Sequence, residues 1–302
     1  MSYVTKIILD SLAPGGARLT TFELTYPRFV HSEFMTHRVF SRNAASSRAI
    51  PIAKIIEMVQ KEPAMPVYWG KNQAGMQAAE ELHYVDQRTA KKRWLKARDS
   101  AVYHAKHMID LNVHKQIVNR LLEPWAWITV VCTATEYPNF FGLRCDSAAQ
   151  PEIRRAAILA LGAYMNSTPR ELKQGEWHLP YVLDDERDLP IADQLCISVA
   201  RCGRVSYVRQ GELRDLQEDV AWHDRGRDAR HWSPFEHQAQ AGGSHMWNTW
   251  NGNFYGAGSN IARCLQTSPA RRPTSTCCGT LAARKSKNFF EPRNATVANE
   301  TH

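Results

Sequence analysis

The densest run of chemistry-capable side chains is Thr36-His37-Arg38-Val39-Phe40-Ser41-Arg42-Asn43-Ala44-Ala45-Ser46-Ser47-Arg48. It holds three arginines, a histidine, an asparagine and three serines. Guanidinium forks match the geometry of phosphate oxygens, and hydroxyls and amides complete the remaining hydrogen bonds. The composition describes a donor-rich anion site, although a solvated basic helix end has the same composition. Ser46 has no His/Asp activation pattern around it and reads as a donor, not a nucleophile. Cys145, next to Arg144, reads as a partly buried thiol. His231 and His237 would read as interior histidines but for the Ser233-Pro234-Phe235-Glu236 between them.

These side chains need elements to hold them. Phe22, Leu24 and Tyr26 share one face at the strand period of two, after a turn at Pro14-Gly15-Gly16. Pro27 suits a helix start and would put Val30, Phe34, His37 and Arg38 on one side. A second helix is expected over Pro51–Lys61, on Ile52, Ile55, Ile56 and Val59. Residues 62–75 read as a loop, followed by a long helix from about Met76. Its core stripe would be Trp94, Ala97, Ala101, Val102, Ala105, Met108 and Ile109. Further helices are expected over His114–Leu122 and from Pro151 to about Met165. Trp125–Thr135 suits a strand or a buried helix. Residues 166–192, rich in Pro, Gly and acids, read as a linker or surface excursion. Ile197–Tyr207 reads as a helix or strand, and Glu218–Arg230 is strongly charged.

The chain of 302 residues has the composition of a soluble globular protein. No apolar run reaches membrane-spanning length, and the N-terminus lacks a signal-peptide pattern. Seven cysteines without a C-x-x-C pair suit reduced thiols in a cytoplasmic protein and give no zinc motif. From Arg263 onward there are seven Lys/Arg and two Asp/Glu, so the tail supplies +5 of the formal +8. The remaining +3 is ordinary and suits an enzyme of phosphorylated small molecules better than a nucleic-acid binder.

The spacing of the first segment resembles the signature of the flavin-dependent thymidylate synthase (thymidylate synthase complementing protein) family, R-H-R-x-x-S-x-N-x-x-S-x-R. His37, Arg38, Ser41, Asn43, Ser46 and Arg48 fall in register. Arg120-Leu121-Leu122-Glu123-Pro124 resembles its Arg-x-x-Leu-Pro element. Asn139-Phe140-Phe141-Gly142-Leu143-Arg144, with Ala149-Gln150-Pro151-Glu152-Ile153, resembles its N-F-x-x-L-R…A-Q-x-E-I block. Ala200-Arg201-Cys202-Gly203-Arg204-Val205-Ser206-Tyr207 resembles A-A-R-V-S-[YF] with an insertion, and 231–237 resembles H-x-[ST]-P-F-E-H. In the family these two blocks precede R-H-R; here they follow it, as in a circular permutation.

The resemblance implies an α+β fold with a mixed or antiparallel sheet, assembled as a homotetramer. It implies one domain over 1–256: an R-H-R and nucleotide half to 165, a linker over 166–192, and the second half from 193. Residues 257–302 would be disordered or follow a reading-frame slip near Gly256. The implied reaction is FAD-dependent reductive methylation of dUMP to dTMP, with methylenetetrahydrofolate as carbon donor and NADPH as reductant. By position, His37, Arg38, Ser41, Asn43, Asn139, Ser206, His231, Ser233 and Glu236 would surround FAD. Glu33, Ser46, Arg48 and Arg120 would hold the nucleotide. Arg144 would lie against the pyrimidine and activate it. Thr36 replaces the first Arg of R-H-R, Glu33 stands where Gln is usual, and Ala44 where Glu is usual. Those departures leave two alternatives: hydroxymethylation of dUMP or dCMP, and a non-catalytic nucleic-acid-binding relative.

Overall fold

Strand alternation builds the first hairpin: β1 (Val4–Leu12) and β2 (Arg18–Pro27) pair antiparallel around a turn in which Gly16 takes a left-handed φ of 83°. The computed structural model describes residues 2–205, 215–242, 246–249 and 252–255; Ser206 and the tail from 257 lie outside them. Phe22, Leu24 and Tyr26 are buried as the alternation predicts, but so are Thr20, Thr21 and Thr25. β2 is therefore covered on both faces.

A single 3-10 turn (Arg28–Val30) leads into α1 (His31–Met35), which ends earlier than the spacing of Val30, Phe34, His37 and Arg38 predicts. The Thr36 hydroxyl donates to the Glu33 carbonyl, the chain turns, and β3 (Ser41–Ala44) follows. His37 and Arg38 thus sit in a turn between helix and strand instead of along a helical face.

α2 (Ile52–Lys61) buries Ile55, Ile56 and Val59. α3 (Tyr84–Asp110) starts eight residues after the expected position, because 71–81 are exposed and lack apolar periodicity. Of its expected stripe only Val102 and Ala105 are buried, while Ala97 and Ile109 face outward. α4 (Lys115–Val118) tightens into a 3-10 stretch (Asn119–Trp125) containing Pro124, which cannot donate to a helical ladder.

β4 (Trp127–Ala134) is a strand and lies between β3 and β2. α5 (Pro138–Arg144) and α6 (Pro151–Asn166) pack Phe140, Ile153, Ala156, Ala157 and Ala160 against Phe22 and Tyr26 in one core. β5 (Arg170–Glu171) runs parallel to β1 and completes the five-stranded order β3-β4-β2-β1-β5, a mixed sheet.

The stretch 166–192 alternates between surface and interior. In its β6 (Trp177–His178) His178 is buried, as are the following Leu179, Tyr181 and Val182, and His178 bonds to Thr21 in β2. Its turn-forming composition reflects many short direction changes inside the fold. Next come α7 (Ile191–Gly203) and α8 (Leu216–Asp228). β7 (Ala239–Ala241), β8 (Met246–Thr249) and β9 (Gly252–Tyr255) extend β6 into a second, antiparallel sheet. The expected α+β class with a mixed sheet and packed helices is the one observed. Among the described residues no helix is long and apolar enough to cross a membrane.

Candidate active site

Arg144, the last residue of α5, points back over the α1–β3 turn. Its Nε donates to His37 Nε2 at 2.9 Å. Its Nη2 donates to the Glu33 carbonyl at 3.0 Å and to Thr36 Oγ1 at 2.8 Å. His37 is buried, stacked on Phe40 and met edge-on by Phe140. Burial, then the Arg144 and Arg42 cations, pull its pKa down to about 4. At neutral pH it is an uncharged imidazole whose Nε2 accepts and whose Nδ1 carries the proton. Arg42 reaches back from β3 to the His37 carbonyl at 2.6 Å, so the turn is clamped from both ends.

A second group forms around Glu123. One carboxylate oxygen takes Arg28 at 3.0 Å, Arg120 at 2.9 Å and the Ser47 hydroxyl at 2.7 Å. Asn119 donates to the Ser47 and Ile50 carbonyls, and Lys115 to the Ala49 carbonyl. The loop 46–50 is thereby fixed from below, leaving Ser46 and Arg48 exposed. The Ser46 hydroxyl accepts the Arg48 backbone N–H at 3.3 Å. An exposed cation on a rigid loop can hold an anionic group with little ordering of the loop itself.

A third group joins the late blocks to β3. Asn43 donates to the Cys202 carbonyl at 2.6 Å and accepts from the Ser233 hydroxyl at 3.1 Å. Ser233 lies in a 3-10 turn (Ser233–Glu236), with His231 Nε2 at 3.4 Å from its hydroxyl. Asn43 and Ser41 are buried, so Asn43 works here as a clasp. Glu236 is half-buried, and burial raises its pKa to about 7, with Arg42 opposing. Arg38, Asn139 and His231 are exposed. Burial pushes the Cys145 thiol up, away from the thiolate a nucleophile needs.

Behind this site runs a buried polar chain: Ser11, His178, Thr21, Thr133 and His237, linked at 2.7–2.9 Å. His237 is thus interior, as its type alone suggested, whereas His231 is not. Among the described residues no cluster of His, Cys, Asp or Glu could hold a metal.

Three blocks far apart in sequence therefore meet around β3. The family model of the thymidylate synthase complementing protein (Thy1) matches residues 18–170, half of the chain. The chain belongs to this family. The Thy1 match covers Glu33, the α1–β3 turn, the Glu123 group and Arg144, and ends before the blocks at 200–207 and 231–237. Two solved structures of the UMP/dUMP methylase PolB from Streptomyces cacaoi are similar. The one bound with 5-Br UMP is 15% identical over 54% of this chain and 88% of that one, with a TM-score of 0.44. The one bound with 5-Br dUMP is 18% identical over 50% and 67%, with a TM-score of 0.39. No curated protein matches the chain by sequence.

Sequence reasoning placed Thr36 and Ser47 in the polar run without assigning either a role, and missed Arg28, Asn119 and Glu123 as parts of the site. Thr36 was visible as a departure from R-H-R, and Glu123 stood within a matched block. Arg28 and Asn119 carried no signal beyond being polar.

Proposed function

We propose that this chain is an FAD-dependent methylase of a pyrimidine nucleotide, converting dUMP to dTMP with methylenetetrahydrofolate as carbon donor and NADPH as reductant. The observation that carries the reading is Arg144, a cation fixed by three acceptors beside a neutral, buried His37. Its Nη1 has no partner among the described residues, which leaves a two-proton edge for a ligand. Against a uracil ring, that edge would favour the N3-deprotonated form and so enrich C5, the carbon that must attack.

The residues present fit a flavin dinucleotide. Arg38 is an exposed cation with no carboxylate partner among the described residues, beside the uncharged His37. Arg38, His231 and Asn139 would hold FAD, with Ser41, Asn43, Ser206, Ser233 and Glu236 ordering the surround. When bound, FAD supplies the hydride chemistry. Ser46, Arg48 and Arg120 would take the nucleotide phosphate and sugar. We place the working unit in residues 1–256 and in a homotetramer. Leu143, Ile158, Leu159 and Met165 stand exposed on α5 and α6, an apolar face suited to a second copy.

One observation favours a second reading. The Glu33 carboxylate bonds the Ser32 hydroxyl and faces no cation among the described residues, so it could accept from a cytosine amino group. Incubating the yellow enzyme with dUMP, UMP or dCMP, the folate and NADPH, then weighing the product, separates the cases. A methylated dUMP supports the first reading; a hydroxymethyl product or a dCMP product supports the second. Colourless protein that takes up no FAD and converts none of them overturns both.

A further inference from the structure

The α1–β3 turn carries a residue with a job of its own. Where the family signature has its first arginine, this chain has Thr36. The Thr36 hydroxyl has one proton, which goes to the Glu33 carbonyl at 2.7 Å. With its proton committed, the oxygen can only accept from a further neighbour, and the neighbour at 2.8 Å is Arg144 Nη2. The other Nη2 proton goes to the same Glu33 carbonyl at 3.0 Å, and Nε–H goes to His37 Nε2 at 2.9 Å. Three of the five guanidinium N–H groups are thus fixed by an exposed threonine, a backbone carbonyl and a neutral imidazole. An arginine at position 36 would offer no acceptor and would set a like charge beside Arg144.

We propose that Thr36 is a positioning residue: it closes a three-acceptor socket that aims the Nη1 edge of Arg144 at the substrate and holds His37 in its Nδ1-protonated tautomer. The socket thus has an acceptor at the position where the family signature has its first arginine. The link to substrate rests on the function proposed above, whereas the socket itself does not.

Two measurements test it. Nitrogen NMR of the FAD-loaded enzyme without substrate reads the socket alone. His37 Nε2 is expected bare and Nδ1 protonated, and the Arg144 Nε–H slow to exchange; Thr36→Val should speed that exchange. Valine puts a methyl where the hydroxyl stood, so it can neither donate to Glu33 nor accept from Arg144, and the exposed side chain can turn outward to relieve the contact. Steady-state kinetics read the consequence. Thr36→Val should lower kcat roughly tenfold to a hundredfold, the effect of one charge-assisted bond lost from a positioned group, with KM for the nucleotide little moved. Thr36→Ser should restore kcat, and Thr36→Arg should not. Wild-type exchange at Arg144 in Thr36→Val, or unchanged kcat beside normal flavin content, overturns the proposal. A socket that behaves as expected in an enzyme inactive on every pyrimidine nucleotide would leave Thr36 in place and remove the assigned reaction.

Discussion

Acidification from pH 7 to pH 5 is expected to cost this fold about 6 kcal/mol of stability. His178 and His237 are fully buried, and burial pulls both pKa values down to about 3. His31 and His37 are pulled to about 4, again chiefly by burial, with Arg28 adding to the first and Arg144 to the second. An unfolded imidazole takes its proton near 6.5, so between 6.5 and 4 the unfolded chain binds more protons and stability falls as pH falls. At pH 5 each of the four sits 1.5 units below that value, which costs about 2 kcal/mol apiece. Glu236 works in the opposite sense. Its pKa is raised to about 7, so the folded carboxyl is protonated at pH 5 while the unfolded one is largely ionised, which returns about 2 kcal/mol. Urea unfolding followed by tryptophan fluorescence in half-unit pH steps should show a slope near three protons taken up on unfolding. His237→Gln keeps a neutral polar side chain and should reduce that slope by about one proton. Stability that stays level from pH 7 to 5, or an unchanged slope in the variant, would refute the burial argument.

Four substitutions probe the rest. Arg144→Lys keeps the charge but cannot span three acceptors, so kcat/KM should fall roughly a hundredfold while circular dichroism stays the same. Glu123→Gln weakens the tie between Arg28, Arg120 and Ser47, and KM for the nucleotide should rise about tenfold; an unchanged KM would detach this group from substrate binding. Asp219 is fully buried and pairs with Arg201 and Arg204, so Asp219→Ala should cost about 3–5 kcal/mol in chemical unfolding. A Cβ on Gly203 would overlap the Trp222 ring, so Gly203→Ala should cost about 1–3 kcal/mol and shift the tryptophan emission.

Where one period dominated, the sequence was readable. β2 and α2 follow their apolar spacing because each lays its apolar residues on a core, and α6 starts at Pro151 as its helix-opening residue implied. α1 was overrun because Phe34 and His37 are both buried, and burial cannot tell a continuing helix from a turn that folds back over the same core. In residues 166–192 composition marked the turns but not the buried middle around His178, since Pro and Gly mark changes of direction and not exposure. The charged run of α8 hid Asp219, whose partners are Arg201 on α7 and Arg204 just after it. Ion pairs between helices have no signature along the chain. The residue types of the site were legible for the same reason its wiring was not. Arg144 and His37 are 107 positions apart, and only the path of α5 over the α1–β3 turn makes them neighbours.

The segments at 200–207 and 231–237 are tied to the first block by specific contacts. Asn43 binds Cys202 across 159 positions and Ser233 across 190, so one amide of β3 clasps both late blocks to the first. Such contacts depend on where chain ends are joined only through loop closure, whose cost grows slowly with length. The parts also divide by role. The exposed donors Arg38, Arg48 and Arg120 and the open edge of Arg144 all fall within residues 18–170, the stretch matched by the Thy1 family. The late blocks supply backing: the Cys202 carbonyl, the Ser233 hydroxyl and the buried His237, with His231 alone exposed among these contributions. A segment that supports a site from behind can enter the chain before or after the donors it supports, provided its clasp is kept. Asn43, whose amide is satisfied at both ends by protein, is that clasp.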